Sequence, residues 1–135
     1  MYLIDTNIFL EVMLAQARKN ECKTLLKALE TGKEKAVVTD FSLYSIMLIM
    51  FNLSKIKGLK VFLSSLSAYK GVTIYHTRLS DMIKATEMSE KGLDMDDSIQ
   101  YSAALALNAK AIISFDKHFD GLEIPRAEPS QIVSA

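Results

Sequence analysis

Tyr2-Leu3-Ile4-Asp5-Thr6-Asn7 is the stretch that decides how the rest of the chain reads. Three apolar residues form a short buried strand, and the polar triplet after them ends it in a turn or helix start. Ala36-Val37-Val38 repeats the pattern and closes on Thr39-Asp40. Ala111-Ile112-Ile113-Ser114-Phe115 repeats it again and closes on Asp116. Val72-Thr73-Ile74-Tyr75 alternates and is β-branched, which predicts a further strand.

Helical segments fill the gaps. Ile8 to Leu14 and Ala17 to Glu30 read as two helices, the second stopped by Gly32. Asp40 or Ser42 is the expected cap of a third, Leu43 to about Leu53. That helix is nearly all apolar, so it is expected to be central and buried, with a dimer interface as the alternative for Ile46 to Phe51. A fourth is expected after Gly58, from Leu59 to Tyr69. Ser80-Asp81 opens a fifth that Gly92 closes, and Asp94-Met95-Asp96-Asp97 leads into a sixth ending near Asn108. Leu122 to Ile124 reads as a short edge strand before Pro125. Strands alternating with helices predict an α/β domain around a mainly parallel sheet, with helices on both faces.

The chain has 135 residues, the size of one domain, and no linker or repeat divides residues 1–135. Half of them are hydrophobic and 24% are charged, which excludes intrinsic disorder. The longest apolar run, Ile46 to Phe51, is too short for a membrane span. The apolar start is also too short for a signal peptide. Cys22 is the single cysteine, so no internal disulfide forms. Together these predict a cytoplasmic protein without membrane contact. With five glycines and no P-loop pattern, a nucleotide-hydrolysing domain is excluded. His76 and His118 fit no zinc spacing.

Charge is balanced overall and segregated locally. No acid stands between Asp40 and Asp81, where Lys55, Lys57, Lys60, Lys70 and Arg78 lie. Six acids follow from Asp81 to Asp97, against Lys84 and Lys91. A basic segment next to an acidic one suits a polyanion held beside a metal site.

Ligands of open parallel sheets bind outside the carboxyl ends of the strands. Asp5, Asp40 and Asp116 all follow strands, and Asp94, Asp96 and Asp97 begin the helix before the last of these strands. Each alone reads as a cap or a turn. Gathered on one rim they repel one another unless a positive charge intervenes, and a hard divalent cation is the usual solution.

Three of these segments together resemble the PIN domain family. Asp5-Thr6-Asn7 after the first strand matches its opening. Asp97-Ser98 before the alanine-rich Ser102-Ala103-Ala104-Leu105-Ala106 is similar to its third motif, and Ser114-Phe115-Asp116-Lys117-His118-Phe119 to its last. The resemblance implies a three-layer α/β/α sandwich. Small single-domain members are typically VapC-like toxins. It therefore implies an endoribonuclease that needs Mg²⁺ or Mn²⁺, acts on RNA, is often a homodimer and is held inactive by a VapB-like antitoxin. It also implies Asp5, Asp97 and Asp116 as catalytic, metal-site acids, with Asn7 and Ser114 as supporting polar residues. The chain departs from the pattern at one point. Ser45 best fills the position of a customary Glu on the helix after the second strand, which leaves Asp96, Asp94 or Asp40 to restore the charge. That departure keeps a second reading open, a degenerate domain that binds RNA or protein without cutting. A phosphotransfer receiver domain is disfavoured, because Asp5 has no adjacent acid and the third strand ends Tyr75-His76-Thr77.

Overall fold

The computed structural model describes residues 1–133. Five strands are present: β1 (Tyr2–Ile4), β2 (Ala36–Thr39), β3 (Val72–Tyr75), β4 (Ile112–Ile113) and β5 (Arg126–Ala127). They form one parallel sheet in the order β3-β2-β1-β4-β5. Helices connect the first four: α1 (Thr6–Met13), α2 (Lys19–Thr31), α3 (Asp40–Asn52), α4 (Ile56–Leu66), α5 (Leu79–Glu90) and α6 (Met95–Leu107); a 3-10 turn at Lys117–Phe119 lies between β4 and β5, and the short α7 (Pro129–Ile132) follows β5. The architecture is the expected α/β/α sandwich.

The alternation of side chains along the strands divides the core. Ile4, Val38 and Ile113 face a cluster formed with α1 to α4, including Ile8, Phe9, Leu25 and Ile46. Leu3 and Ile112 face the opposite layer, where Tyr101, Ala103 and Ala104 of α6 pack with Phe119 and Ile124. The alanines let α6 lie close against the sheet, which brings the start of α6 to the carboxyl ends of β1 and β4.

Four expectations are corrected. Thr39, rather than Asp40 or Ser42, caps α3: its hydroxyl accepts from the Ser42 amide at 3.0 Å. α4 begins before Gly58, which lies inside the helix. The edge strand follows Pro125 instead of preceding it, because β5 pairs Arg126 with Ile112 and Ala127 with Ile113. Finally, α3 is not central. Only Ser42, Ile46 and Met50 are buried, while Tyr44, Leu48 and Phe51 are each more than 60% exposed. With apolar residues on all sides, its sequence carries no stripe to distinguish an inner from an outer face. No helix among the described residues is long and apolar enough to cross a membrane.

Candidate active site

The parallel sheet places Asp5, Thr39 and Ser114 at the same edge, each one residue or less past the end of its strand. Asp5 caps α1 by accepting from the Thr6 amide through Oδ1 at 2.8 Å. Its other oxygen accepts from the Ser114 hydroxyl at 2.7 Å. That same hydroxyl oxygen accepts from the Asp116 amide at 2.9 Å. Ser114 is fully buried and so sets two acids at once, Asp5 directly and Asp116 through its backbone.

A cavity of about 240 Å³ opens at this edge. Asp5, Asp96, Asp97 and Asp116 line it, together with Asn7 and Ser45. The predicted acids Asp5, Asp97 and Asp116 thus meet in one space. Asp96 joins them, although one of its oxygens accepts from the Asp97 amide at 3.0 Å. Ser114 supports the cavity from behind. Asp94 stands outside it, beside His118: one oxygen each of Asp94 and Asp97 and one ring nitrogen of His118 lie within 4.8 Å of one another. Asp40 is committed elsewhere, accepting from the Thr77 hydroxyl at 2.6 Å and the Thr77 amide at 3.2 Å.

The basic segment divides as well. Lys70 precedes β3 and packs near Gly32, at the opposite edge of the sheet. Arg78 pairs with Asp81 at 3.4 Å. Lys55, Lys57 and Lys60 remain exposed, with no salt bridge among the described residues.

One residue, Gln100, escaped the sequence reading. Gln100 is 2% exposed and lines the cavity floor. Its Oε1 accepts from the Thr39 hydroxyl at 2.7 Å, and its Nε2 donates to Ser42 Oγ at 2.5 Å. Thr6 Oγ1 and Ser42 Oγ share a further hydrogen bond of 2.8 Å. One glutamine therefore ties α6 to the ends of β1 and β2. The only available signal was a lone amide one turn after Asp96 and Asp97. His118, which follows Asp116 in the last motif, brings its Nδ1 to 3.3 Å from both Asp97 Oδ2 and Asp116 Oδ1.

The electrostatics are those of acids held together against their preference. Burial first, and then the Asp116 and Asp96 carboxylates, push the Asp97 carboxyl up to about 6. Burial raises Asp5 too, opposed by the hydrogen bonds from Ser114 and Thr6, with Asp116 adding repulsion. The hydrogen bond to Asp97, followed by the charge of Asp116, raises His118. No lysine or arginine lines the cavity. Several carboxylates around a small polar space with no lysine or arginine among its described lining residues are the donor set of a hard divalent ion, so the residues fit Mg²⁺ or Mn²⁺.

The comparisons agree with this architecture. A family model for the PIN domain matches residues 2–124, and the chain belongs to that family. Among solved structures, the fold is similar to Mycobacterium tuberculosis VapC20, a Sarcin-Ricin loop cleaving toxin, with a TM-score of 0.71 at 11% identity over 87% of this chain and 91% of that one. A toxin-antitoxin complex from Klebsiella pneumoniae gives 0.68 at 18% identity, over 96% and 98%. VapBC2 from Rickettsia felis, bound to a DNA fragment from their promoter, gives 0.64 at 18%, over 94% and 97%. No curated protein matches the sequence.

Proposed function

We propose that the chain is a divalent-metal-dependent endoribonuclease and the toxin of a toxin–antitoxin pair. The observation that carries this reading is the meeting of Asp5, Asp96, Asp97 and Asp116 in one cavity with no lysine or arginine among its described lining residues. Asp5, Asp97 and Asp116 would hold Mg²⁺ or Mn²⁺, with Asp96 adjoining. When bound, the ion would supply electrophilic stabilisation of the scissile phosphate and an activated water.

The chain's own residues set up the rest. Ser114 and the Thr6 amide orient the two oxygens of Asp5. Gln100 fixes Thr39 and Ser42, so the floor does not collapse when charge is added. Asn7 and Ser45 offer polar groups to a water or a phosphate oxygen in the cavity. His118 presents a largely exposed imidazole at the mouth. Lys55, Lys57 and Lys60 follow the helix that contributes Phe41, Ser45 and Ile49 to the cavity, and they would draw an RNA backbone in a salt-dependent way.

Support for the toxin reading comes from the family and from the likeness to a toxin that cleaves the Sarcin-Ricin loop and to two toxin–antitoxin assemblies. A VapB-like antitoxin is the partner this reading expects, and the exposed apolar face of α3 suits a homodimer. The deciding experiment measures Mn²⁺ binding beside RNA cleavage for wild type and Asp5→Asn. Cleavage that requires both Mn²⁺ and Asp5 supports the proposal. One observation favours a second reading: Ser45 stands in the cavity where the family usually has a carboxylate. RNA binding without cleavage at any Mn²⁺ or Mg²⁺ concentration would replace the nuclease with a binding module.

A further inference from the structure

A second cavity, of about 520 Å³, adjoins the acids. Its wall is apolar, built from Met88 at the end of α5, Leu93 before α6, Leu105 on α6 and Leu122 in the loop before β5. All four are half-buried, so the cavity is a lined recess with an open mouth. Asp94 and His118 belong to its rim. Because His118 Nδ1 is 3.3 Å from Asp97 and from Asp116, the recess begins one side chain away from the candidate active site.

The rim chemistry narrows the occupant. Lys84 is drawn towards Glu87 at 3.8 Å, whereas Lys91, which also lines the recess, has no salt bridge among the described residues. Asp94 and Glu123 also line the recess. Acids there disfavour an anion inside the recess. They accept hydrogen bonds from a neutral, flat, apolar-faced group that carries amino donors. The volume lies within the range of small-ligand pockets. An unpaired nucleobase meets each requirement: its faces pack on aliphatic side chains, its exocyclic amine reaches a carboxylate, and its phosphate stays outside near Lys91.

We propose that this recess binds one unstacked nucleobase of the RNA, adenine, guanine or cytosine in preference to uracil, beside the acids. The inference rests on the ribonuclease reading and adds to it a site of base recognition. Binding a splayed base would favour single-stranded or loop RNA over a regular duplex.

The test is a binding cycle in EDTA, so that cleavage does not intrude, using fluorescence anisotropy of a labelled single-stranded RNA on the full chain. An abasic nucleotide is moved along the RNA one position at a time, and the series is repeated with Leu122→Trp, which fills the recess. At one position the abasic change should weaken wild-type binding roughly tenfold, the scale of losing one base contact. Leu122→Trp should weaken the intact RNA by a similar factor and leave that abasic RNA unaffected. Uracil at the same position, which keeps the packing and lacks the amine, should bind between the intact and the abasic RNA. Equal losses for intact and abasic RNA, or insensitivity at every position, overturn the recess. The scan on wild type decides the matter even if Leu122→Trp does not fold. Mn²⁺-dependent cleavage by wild type that is blocked in Asp5→Asn, with an insensitive scan, removes the recess alone. Absence of both RNA binding and cleavage removes the ribonuclease reading with it.

Discussion

The Ser114 hydroxyl donates to Asp5 Oδ2 at 2.7 Å, joining the ends of two neighbouring parallel strands. This bond favours the charged form of Asp5 against the burial that disfavours it. Ser114→Ala removes the donor from a fully buried site, so the Asp5 carboxyl moves further up. Metal binding must then displace a proton at higher pH than before. We expect the midpoint of Mn²⁺ binding against pH to shift upward in Ser114→Ala, with affinity recovered at high pH. An unchanged pH profile would show that Ser114 does not set Asp5.

Asp97 links stability to pH with an unusual sign. Its folded-state value near 6 lies above that of an unfolded aspartate, so the folded protein binds the extra proton between about pH 4 and 6. Its contribution therefore favours folding below that window and is lost as pH rises through it. The cost at neutral pH is on the order of 3 kcal/mol. Asp97→Asn should melt above wild type at pH 7 without metal, by roughly 10 °C for that cost, and the gap should close near pH 4. Saturating Mn²⁺ should raise wild type and leave the variant behind. Melting curves at the two pH values read this directly.

Much of this site was legible because a parallel sheet converts strand ends into neighbours. Asp5 and Asp116 follow apolar strands, and topology alone carries them to one rim. Asp40 follows a strand just as plainly, but Thr77 engages its carboxylate, a contact between residues distant in sequence. Gln100 was silent for a similar reason, since a single amide in a helix does not announce that Thr39 and Ser42 will surround it. β5 is two residues long and takes its identity from pairing with β4 rather than from Arg126 and Ala127 themselves. Leu122 to Ile124 looked more strand-like, but Ile124 is instead buried against the α6 layer, its amide donating to the Tyr101 hydroxyl at 3.0 Å.

The Gln100 network should be costly to break. Gln100→Ala leaves the buried Thr39 and Ser42 hydroxyls with one partner fewer and opens a cavity beneath the acids. A loss of about 2–4 kcal/mol in urea unfolding is expected from the lost hydrogen bonds and the void. A loss below about 0.5 kcal/mol, the range of ordinary surface changes, would mean that the network does not hold the floor.

The outer face of α3 exposes Tyr44, Leu48 and Phe51, and a second copy of the chain is the occupant expected there. Leu48→Glu combined with Phe51→Glu places two charges on that face without touching the buried Ile46 or Met50. Light scattering after gel filtration should give a dimer for wild type and a monomer for the double variant. A monomeric wild type, or a dimer that survives both charges, removes α3 from the interface.

Ser45 is the point at which the chain departs from the family pattern, and it faces the space shared by Asp5, Asp96, Asp97 and Asp116. A serine there adds a hydroxyl but no charge, so the site would hold a cation with less negative charge than a site that keeps the glutamate. Metal affinity and cleavage should both be low in wild type, with Asp96 supplying part of the missing charge. Ser45→Glu restores the carboxylate from the same helix position. Without metal it adds one more acid to a crowded cavity, so the variant should melt below wild type at pH 7. With Mn²⁺ the order should reverse, because a cation that binds the folded state more tightly stabilises it in proportion to the logarithm of its excess over the dissociation constant. Calorimetric titration with Mn²⁺ should show at least a tenfold gain, and RNA cleavage should accelerate in the same preparation. If Ser45→Glu folds and changes neither binding nor cleavage, Ser45 does not occupy the vacant ligand position, and Asp96 must already complete the set.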